Sequence, residues 1–475
     1  AFSLTMRRAS EESKSSNSGP SPASSMFKYY GSESNKLRYE LMLEAMGTKA
    51  LGWEGEGFGP AELAITREWL RTKANSIEGG TSEVQLNIIA KRVLDCRSKY
   101  NSWENKMSLV LNEEQIFLKD SAKKFASEKT PTTHFREVRD SEIENCYDEK
   151  IWQEMVSLGW TGILVPEEYG GSNFGVAGIS SILEELGRTL TPSPLFSTAV
   201  VGVSLIKHAK EEIKKEILSK VVQEGLRLCF AIEESNHHDP LKISCKAEKD
   251  GDNFKISGEK SFVIDGGFAD KIVIACRTSG EEGNKEGLSL FILDANSEGL
   301  AIMPTKMVDS RNAANMKFDN VAVSADMLIG EEDNAFDLIN SVLDISRAAI
   351  SAEMLGSALQ AYEITLDYLK EREQFGSKIG SFQALQHRAA IMFSELELCK
   401  SCVLESITAF DEGSNDSERL ASLSKAKVGE VFHLISNESV QMHGGIGVTD
   451  EYDIGLYLKR ARVAEQIFGD SNFHK

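Results

Sequence analysis

LRLCFAIEESNHHDPLKISCKAEKDGDNFKISGEKSFVIDGGFADKIVIACRT, residues 226–278, interrupts an otherwise helical sequence, and the architecture turns on it. Its apolar residues fall into short β-branched runs, and several alternate with polar residues at period two. Asp250-Gly251, Gly266-Gly267 and Gly280 supply turn signals between the runs. LSLFILDA (288–295) and AIMPTKM (301–307) continue the texture. The spacing predicts an antiparallel, barrel-like β domain over 226–333.

On both sides the period changes to that of a helix. The stretches 109–225 and 334–475 read as helical domains flanking the β domain. Asn112 is an expected N-cap with Gln115 at the third helical position, and PEEYGGSNFG (166–175) is a turn. Residues 98–108 lack periodicity and read as a linker. Residues 1–97 read as an extra helical tail. Its polar first 25 residues suggest a loop or a frayed helix end, and the helical pattern starts at Met26. Tyr39, Leu41, Met42 and Met46 form one expected apolar face, and Val84, Ile88 and Ile89 another. GWEGEGFGP (52–60) breaks the pattern between them. The fold class is α+β, mostly α.

With 475 residues the chain has length for about three domains. A net charge of −20 excludes a general nucleic-acid binder held by phosphate contacts. No apolar run reaches the roughly 18 residues that span a membrane. Seven cysteines do not make a disulfide framework and favour a reducing compartment, cytoplasmic or an organelle matrix. The Ser-rich start with Arg7 and Arg8 raises a transit peptide, against which Glu11 and Glu12 argue; Ala1 in place of Met reads as a fragment of a longer chain.

The tail also resembles the end of the chain. Each has a helix, a polar loop, a long helix ending in Met and Gly, a second loop and an Arg-bearing helix before a Gly turn. Gly47 and Gly444 are 397 residues apart, Gly80 and Gly469 389 apart. The tail therefore reads as the last part of one module, and 107–475 as a nearly complete second copy.

Several motifs in this order are similar to those of the acyl-CoA dehydrogenase family of flavoenzymes. They are LGWTGILVPEEYGGSNFG (158–175), GEKSFVIDG (258–266), REQFG (372–376), SFQALQHRAA (381–390) and ESVQMHGGIGVTDEY (438–452), with SIEGGTSEVQLNIIAKRVL (76–94) in the tail. The resemblance implies a helical, β, helical architecture. It also implies FAD, an acyl-CoA substrate oxidised to the trans-2-enoyl-CoA, and an electron-transfer flavoprotein as acceptor. A homo-oligomer, or a pseudo-dimer within a tandem chain, is implied as well. Carried over residue by residue, it assigns the adenine and pyrophosphate end of FAD to Arg372, Gln374, Phe375, Phe382, Gln383, Gln441, Gly444 and Gly445. Thr81 and Glu83 match flavin-contacting positions. The residues themselves allow this: an arginine can fork a pyrophosphate, and glycines let backbone approach a ligand. A solvated arginine and a plain helix C-cap would read the same way.

The second module departs from the family at the flavin ring and at the base. EESNHHD (233–239) stands where a TEPGAGS-like loop is usual, and Phe262-Val263-Ile264 where Trp-x-Thr is usual. The two places that supply the catalytic carboxylate hold Phe468 and Ser346. Asp344 and Glu353, on the same helix as Ser346, read as surface groups. In the tail Glu44 and one glycine replace Gln441 and the diglycine, while Glu78 is a candidate base. A helix-terminal carboxylate would look the same. The losses are complementary, so one FAD per tandem chain, shared between modules, is expected. A non-catalytic partner module and an acyl-CoA oxidase are the alternatives. Cys399-x-x-Cys402 has no second ligand pair for zinc, His237-His238 reads as an exposed loop, and 210–220 as a solvated helix face.

Overall fold

The structure, a computed structural model, describes residues 1–15, 23, 26–46, 59–77, 81–94, 113–141, 143 and 145–475. Glu78, Gly80, Gly47, Asn112, the loop 52–58 and the linker 98–108 lie outside them. The tail contains helices α1 (Phe2–Ser15), α2 (Phe27–Met46), α3 (Pro60–Asn75) and α4 (Ser82–Leu94). Then come α5 (Glu113–Lys129), α6 (Thr132–Asp140), α7 (Glu149–Ser157), α8 (Val176–Arg188), a π-helical segment Phe196–Gly202, α9 (Val203–Ile206) and α10 (Glu211–Glu224). The β domain follows: β1 (Leu228–Ala231), β2 (Lys246–Asp250), β3 (Asn253–Ile264), β4 (Lys271–Arg277), β5 (Leu288–Asp294), β6 (Leu300–Lys306), β7 (Asn312–Ser324) and β8 (Leu328–Ile329). The chain ends with α11 (Phe336–Glu371), a hairpin of β9 (Glu373–Gln374) and β10 (Ser377–Lys378), α12 (Gln383–Asp411), α13 (Ser417–His443) and α14 (Ile454–Gln466). The chain divides into two compact units, 1–110 with 362–401 and 111–361 with 402–475.

The sheet runs β6-β7-β3-β2-β4-β5-β8. It is not wholly antiparallel. β1 pairs parallel with β4, Leu228 opposite Lys271 through Ala231 opposite Ile274, and Lys246 and Arg277 form one parallel β2–β4 pair. All four residues of β1 are buried, the unbroken apolar pattern expected of a strand covered on both faces. Alternation reports burial of a face, not strand direction, so the periodicity could not exclude this pairing. One face of the sheet packs Ile256, Ile274, Phe291, Met316 and Phe318 into a core. Gly202, ahead of α9, must be glycine: an added Cβ would sit 2.4 Å from Leu228 Cβ on β1.

In the first unit α1 is a 14-residue helix, where a loop or a frayed helix end was expected. Polarity misled the reading because the helix docks through polar groups. Arg8, 8% exposed, reaches Glu397 Oε2 on α12 at 2.5 Å, and Ser401 Oγ meets both Arg8 Nε (3.0 Å) and Thr5 Oγ1 (2.9 Å). Burial would raise the Glu397 carboxyl, but Lys400 and Arg8 outweigh it and bring it down to about 2. α2 pairs with α3, at whose start Gly59 N donates to Glu62 Oε2 at 2.8 Å. Two expected faces are corrected. Leu41 is 56% exposed, and on α4 the buried side is Leu86, Ile89 and Ala90, with Val84 and Ile88 outward.

In the second unit, Asp411 at the end of α12 caps α8, accepting from Val176 N (2.6 Å) and Ala177 N (2.9 Å). Trp160, 2% exposed, meets Phe125 edge to face at 4.9 Å. Ile213, Ile217 and Leu218 give α10 a buried side beneath its charged face. Among the described residues no helix is long and apolar enough to cross a membrane.

Candidate functional site

The first unit gathers one group of the residues assigned to the cofactor. Glu373 pairs with Lys378 and Gln374 with Ser377, so Phe375-Gly376 forms a two-residue turn. Both its φ values are positive, +56° and +77°, as a type I′ turn requires. Phe375 is 91% exposed and stacks edge-on with Phe382 at 6.1 Å. A phenylalanine in left-handed backbone with its ring in solvent is strained and unburied, the combination associated with ligand contact. Arg372, Gln374 and Gln383 are exposed beside it.

Thr81 and Glu83 stand at the start of α4 in the same unit. Thr81 Oγ1 accepts from Val84 N at 3.3 Å, an N-cap. Glu83, exposed, is held below the usual carboxylate range by a backbone amide and then by the Thr81 hydroxyl. Both residues thus have local helix-start roles. One and a half turns on, Asn87 Oδ1 lies 3.3 Å from Gln383 Nε2 and 3.1 Å from His387 Nε2. This joins the tail helix α4 to the start of α12. Asn87 and His387 were not singled out in the sequence, and their spacing carries no signal.

The second unit carries the rest. Gly444 ends α13 with φ +65°, and nothing lies within 4 Å of a Cβ added at Gly444 or Gly445. Gln441 is exposed one turn earlier. That open, side-chain-free backbone fits the nucleotide end of FAD. Gly447 has another role: its Cβ would lie 2.6 Å from Val440 O.

Around Phe262 and Ile264, where the resemblance would set the flavin ring, the residues leave no room for a flavin. Phe196, Phe230, Phe262, Ile264, Glu233 and Phe468 surround a cavity of only about 10 Å³, whereas cofactor pockets run to several hundred Å³. Phe262 and Phe468 sit in left-handed backbone, φ +50° and +54°, which turns their rings over this space. The wall behind it is ionic. His238 Nδ1 lies 2.5 Å from Glu233 Oε1 and Nε2 3.0 Å from Arg347 Nη2. Arginine can only donate, so Nε2 accepts and Nδ1 carries the proton toward Glu233. Arg347 also donates to Asp344 Oδ1 (2.7 Å) and Phe468 O (3.0 Å). His238 lies in a loop, as expected, but its side chain is only 3% exposed, so the expected exposure is wrong for it.

Ser346, at one base position, donates to Val342 O at 2.7 Å inside its own helix. The surface assignment of Asp344 and Glu353 is overturned: they are 4% and 5% exposed. Glu353 accepts from Arg311 (2.5 Å) and Arg460 (3.1 Å), and Arg460 also holds Asp309 (2.6 Å). Both carboxylates thus have arginine partners inside the fold. Cys399 and Cys402 are buried helix residues.

Two helix ends are capped alike by lysine. Lys425 Nζ donates to Glu465 O and Gly469 O at the end of α14, both at 2.8 Å. Lys28 Nζ donates to Asn75 O at the end of α3. The two lysines are 397 residues apart, as are Gly47 and Gly444.

Family models for the C-terminal, N-terminal and middle domains of acyl-CoA dehydrogenases match residues 1–94 and 335–475, 112–225 and 229–321 respectively. The C-terminal model therefore matches both tail and end. Probable acyl-CoA dehydrogenase YngJ of Bacillus subtilis is 30% identical over 376 residues, 78% of this chain and 98% of that protein. Among solved structures, a variant of the Tcur3481-Tcur3483 steroid ACAD is 31% identical with a TM-score of 0.69, covering 76% of this chain and 95% of that one. Butyryl-CoA dehydrogenase from Megasphaera elsdenii has 25% identity and a TM-score of 0.71, covering 78% and 97%.

Proposed function

This chain belongs to the acyl-CoA dehydrogenase family, and we propose that its second module completes a FAD site rather than carrying out a dehydrogenation of its own. The supporting observation is the closed flavin position: about 10 Å³ of space under Phe468, with neither base position a carboxylate. Family members oxidise acyl-CoA thioesters between the α and β carbons, and FAD when bound takes up the hydride. In this chain Arg372, Gln374, Phe375, Phe382 and Gln383 would hold the pyrophosphate and adenine end. Thr81 and Glu83 would face the flavin side, and Gln441, Gly444 and Gly445 would offer open backbone to the nucleotide. The Asn87 bridge supports a site shared between tail and second module, because it brings α4 and the start of α12 together.

Under this reading residues 1–97 are the C-terminal helical part of a first module, 98–108 a linker, and 109–225, 226–333 and 334–475 the three domains of the second. The matching lysine caps and the doubled C-terminal-domain match support the tandem form. The base for the α-proton then belongs to the first module. Glu78 is its candidate in this chain. The proposed acceptor is an electron-transfer flavoprotein. The deciding experiment is FAD stoichiometry on the full-length tandem protein. One FAD per chain is expected, and two would sink the shared site.

A further inference from the structure

Between α13 and α14 the chain forms a loop, 444–453, that begins with the diglycine. Apolar packing does little to hold its outer half: Val448 is 77% exposed, and Thr449, Asp450 and Glu451 face solvent. Tyr452 packs on His443 with ring centroids 5.2 Å apart, and at Asp450 and Asp453 the restraint is ionic and comes from α6. On α6, Arg136 donates through Nε to Asp453 Oδ1 (2.8 Å) and through Nη1 to Asp450 Oδ2 (3.2 Å). Arg139 forks Asp450 through Nη1 (2.7 Å) and Nη2 (2.8 Å). It also donates to Asp140, at 2.7 and 2.9 Å, which fixes the plane of the guanidinium. Thr132 Oγ1 adds a bond to Asp453 Oδ2 at 2.6 Å.

Ion pairs this exposed add little to global stability. Asp450 is 61% exposed at its side chain. A forked arginine does, however, fix geometry. The clasp restrains the far end of a loop whose near end is backbone with open space above it. We propose that Arg136 and Arg139 are positioning residues for the nucleotide end of the cofactor: by gripping Asp450 and Asp453 they hold the Gly444-Gly445 backbone in the geometry a phosphate or adenine approaches. The inference rests on the reading of that diglycine as part of the FAD site.

The test uses the full chain, FAD titration by fluorescence, and hydrogen exchange of the peptide covering 444–452. Arg139→Asp should weaken FAD about tenfold, the scale of one ionic contact, and speed exchange in the loop. Adding Asp450→Arg to it should restore both, which a merely structural lesion in α6 would not allow. Arg139→Lys, which keeps the charge but loses the fork, should fall between and guards against misfolding of the harsher variant. Raising NaCl to about 0.5 M should mimic part of the loss. Wild-type affinity in Arg139→Asp, with Gln441→Ala clearly weakened, would overturn the positioning role and leave the nucleotide site standing. Unchanged loop exchange in Arg139→Asp would overturn the clasp itself. If Gln441→Ala and Gly444→Val also bind FAD normally, the nucleotide reading falls, and the positioning role with it.

Discussion

Replacing Phe468 with alanine and, separately, with glycine tests whether the second module's flavin position is a sealed piece of core. Phe468 is 6% exposed, with its ring centroid 6.2 Å from those of Phe196 and His238. Its carbonyl accepts from Arg347 Nε. Removing a buried phenyl ring costs about 3–5 kcal/mol, part transfer and part cavity. The backbone adds a second term of opposite sign. At φ +54° any residue with a Cβ carries roughly 1–2 kcal/mol of strain that glycine lacks. Elsewhere glycine is worse than alanine by about 0.5–1 kcal/mol; here the order should reverse. Phe468→Gly should lose about 2–4 kcal/mol and Phe468→Ala about 3–5 kcal/mol. A chain of two units will not unfold in one step, so the measurement is exchange of the amides in 196–202 and 228–232, which line the cavity. Benzene or xenon should slow that exchange in the alanine variant by filling the vacated apolar space. Glycine more damaging than alanine would refute the backbone term. A loss under about 1 kcal/mol in both would show that Phe468 does not seal a cavity, and the argument for a closed second site would go with it.

Arg372→Ala in the full tandem protein should weaken FAD by one to two powers of ten, from loss of roughly 1.5–3 kcal/mol of charge-assisted bonding; unchanged flavin content would reject the assignment. This chain alone should reduce flavin with no acyl-CoA at family rates, because a missing base typically costs a factor of about 10²–10⁴; a single-turnover assay with a panel of acyl-CoAs decides. Glu397 sits at about 2 against an ordinary 4.5, so its contribution of about 3 kcal/mol is present above pH 4.5 and lost as pH falls toward 2; intrinsic-rate-corrected exchange in α1 should speed over that window, and Arg8→Met should speed it already at pH 7. Asp265 is pushed by burial up to about 6 from 3.8, despite Arg311 nearby and a Ser197 hydrogen bond. It favours the fold below pH 3.8 and disfavours it as pH rises through 6, so Asp265→Asn should raise the second unit's stability at pH 7–8 by on the order of 1–3 kcal/mol, read by unfolding of both proteins across pH 4–8.

Residue identities alone set the order of helical, β and helical regions, because periods of 3.6 and 2 are written in them and need no partner. They also put Phe468 and Ser346 at the two positions where the family resemblance would expect a carboxylate. Gly444-Gly445 was legible for the same reason, since glycine's backbone freedom is local, whereas the hairpin at 373–378 stands where a helix end was expected. What a residue faces emerged only from the folded chain. Asp344 and Glu353 look like surface carboxylates until cations close over them. For Glu353 these are Arg311, 42 residues away, and Arg460, 107 away; for Asp344 it is Arg347 one turn on, buried by the rest of the unit. Burying a charge is tolerable only with an opposite charge and hydrogen bonds in place, and no local pattern says which distant element will supply them. α1 was missed on the same ground, since its apolar content is low and the polar groups that dock it find their partners almost 400 residues away. The parallel pairing of β1, the His238–Arg347 wall and the Asn87 bridge belong to the same class. Each depends on which segments the folded chain brings side by side, and that is settled by packing the whole chain at once.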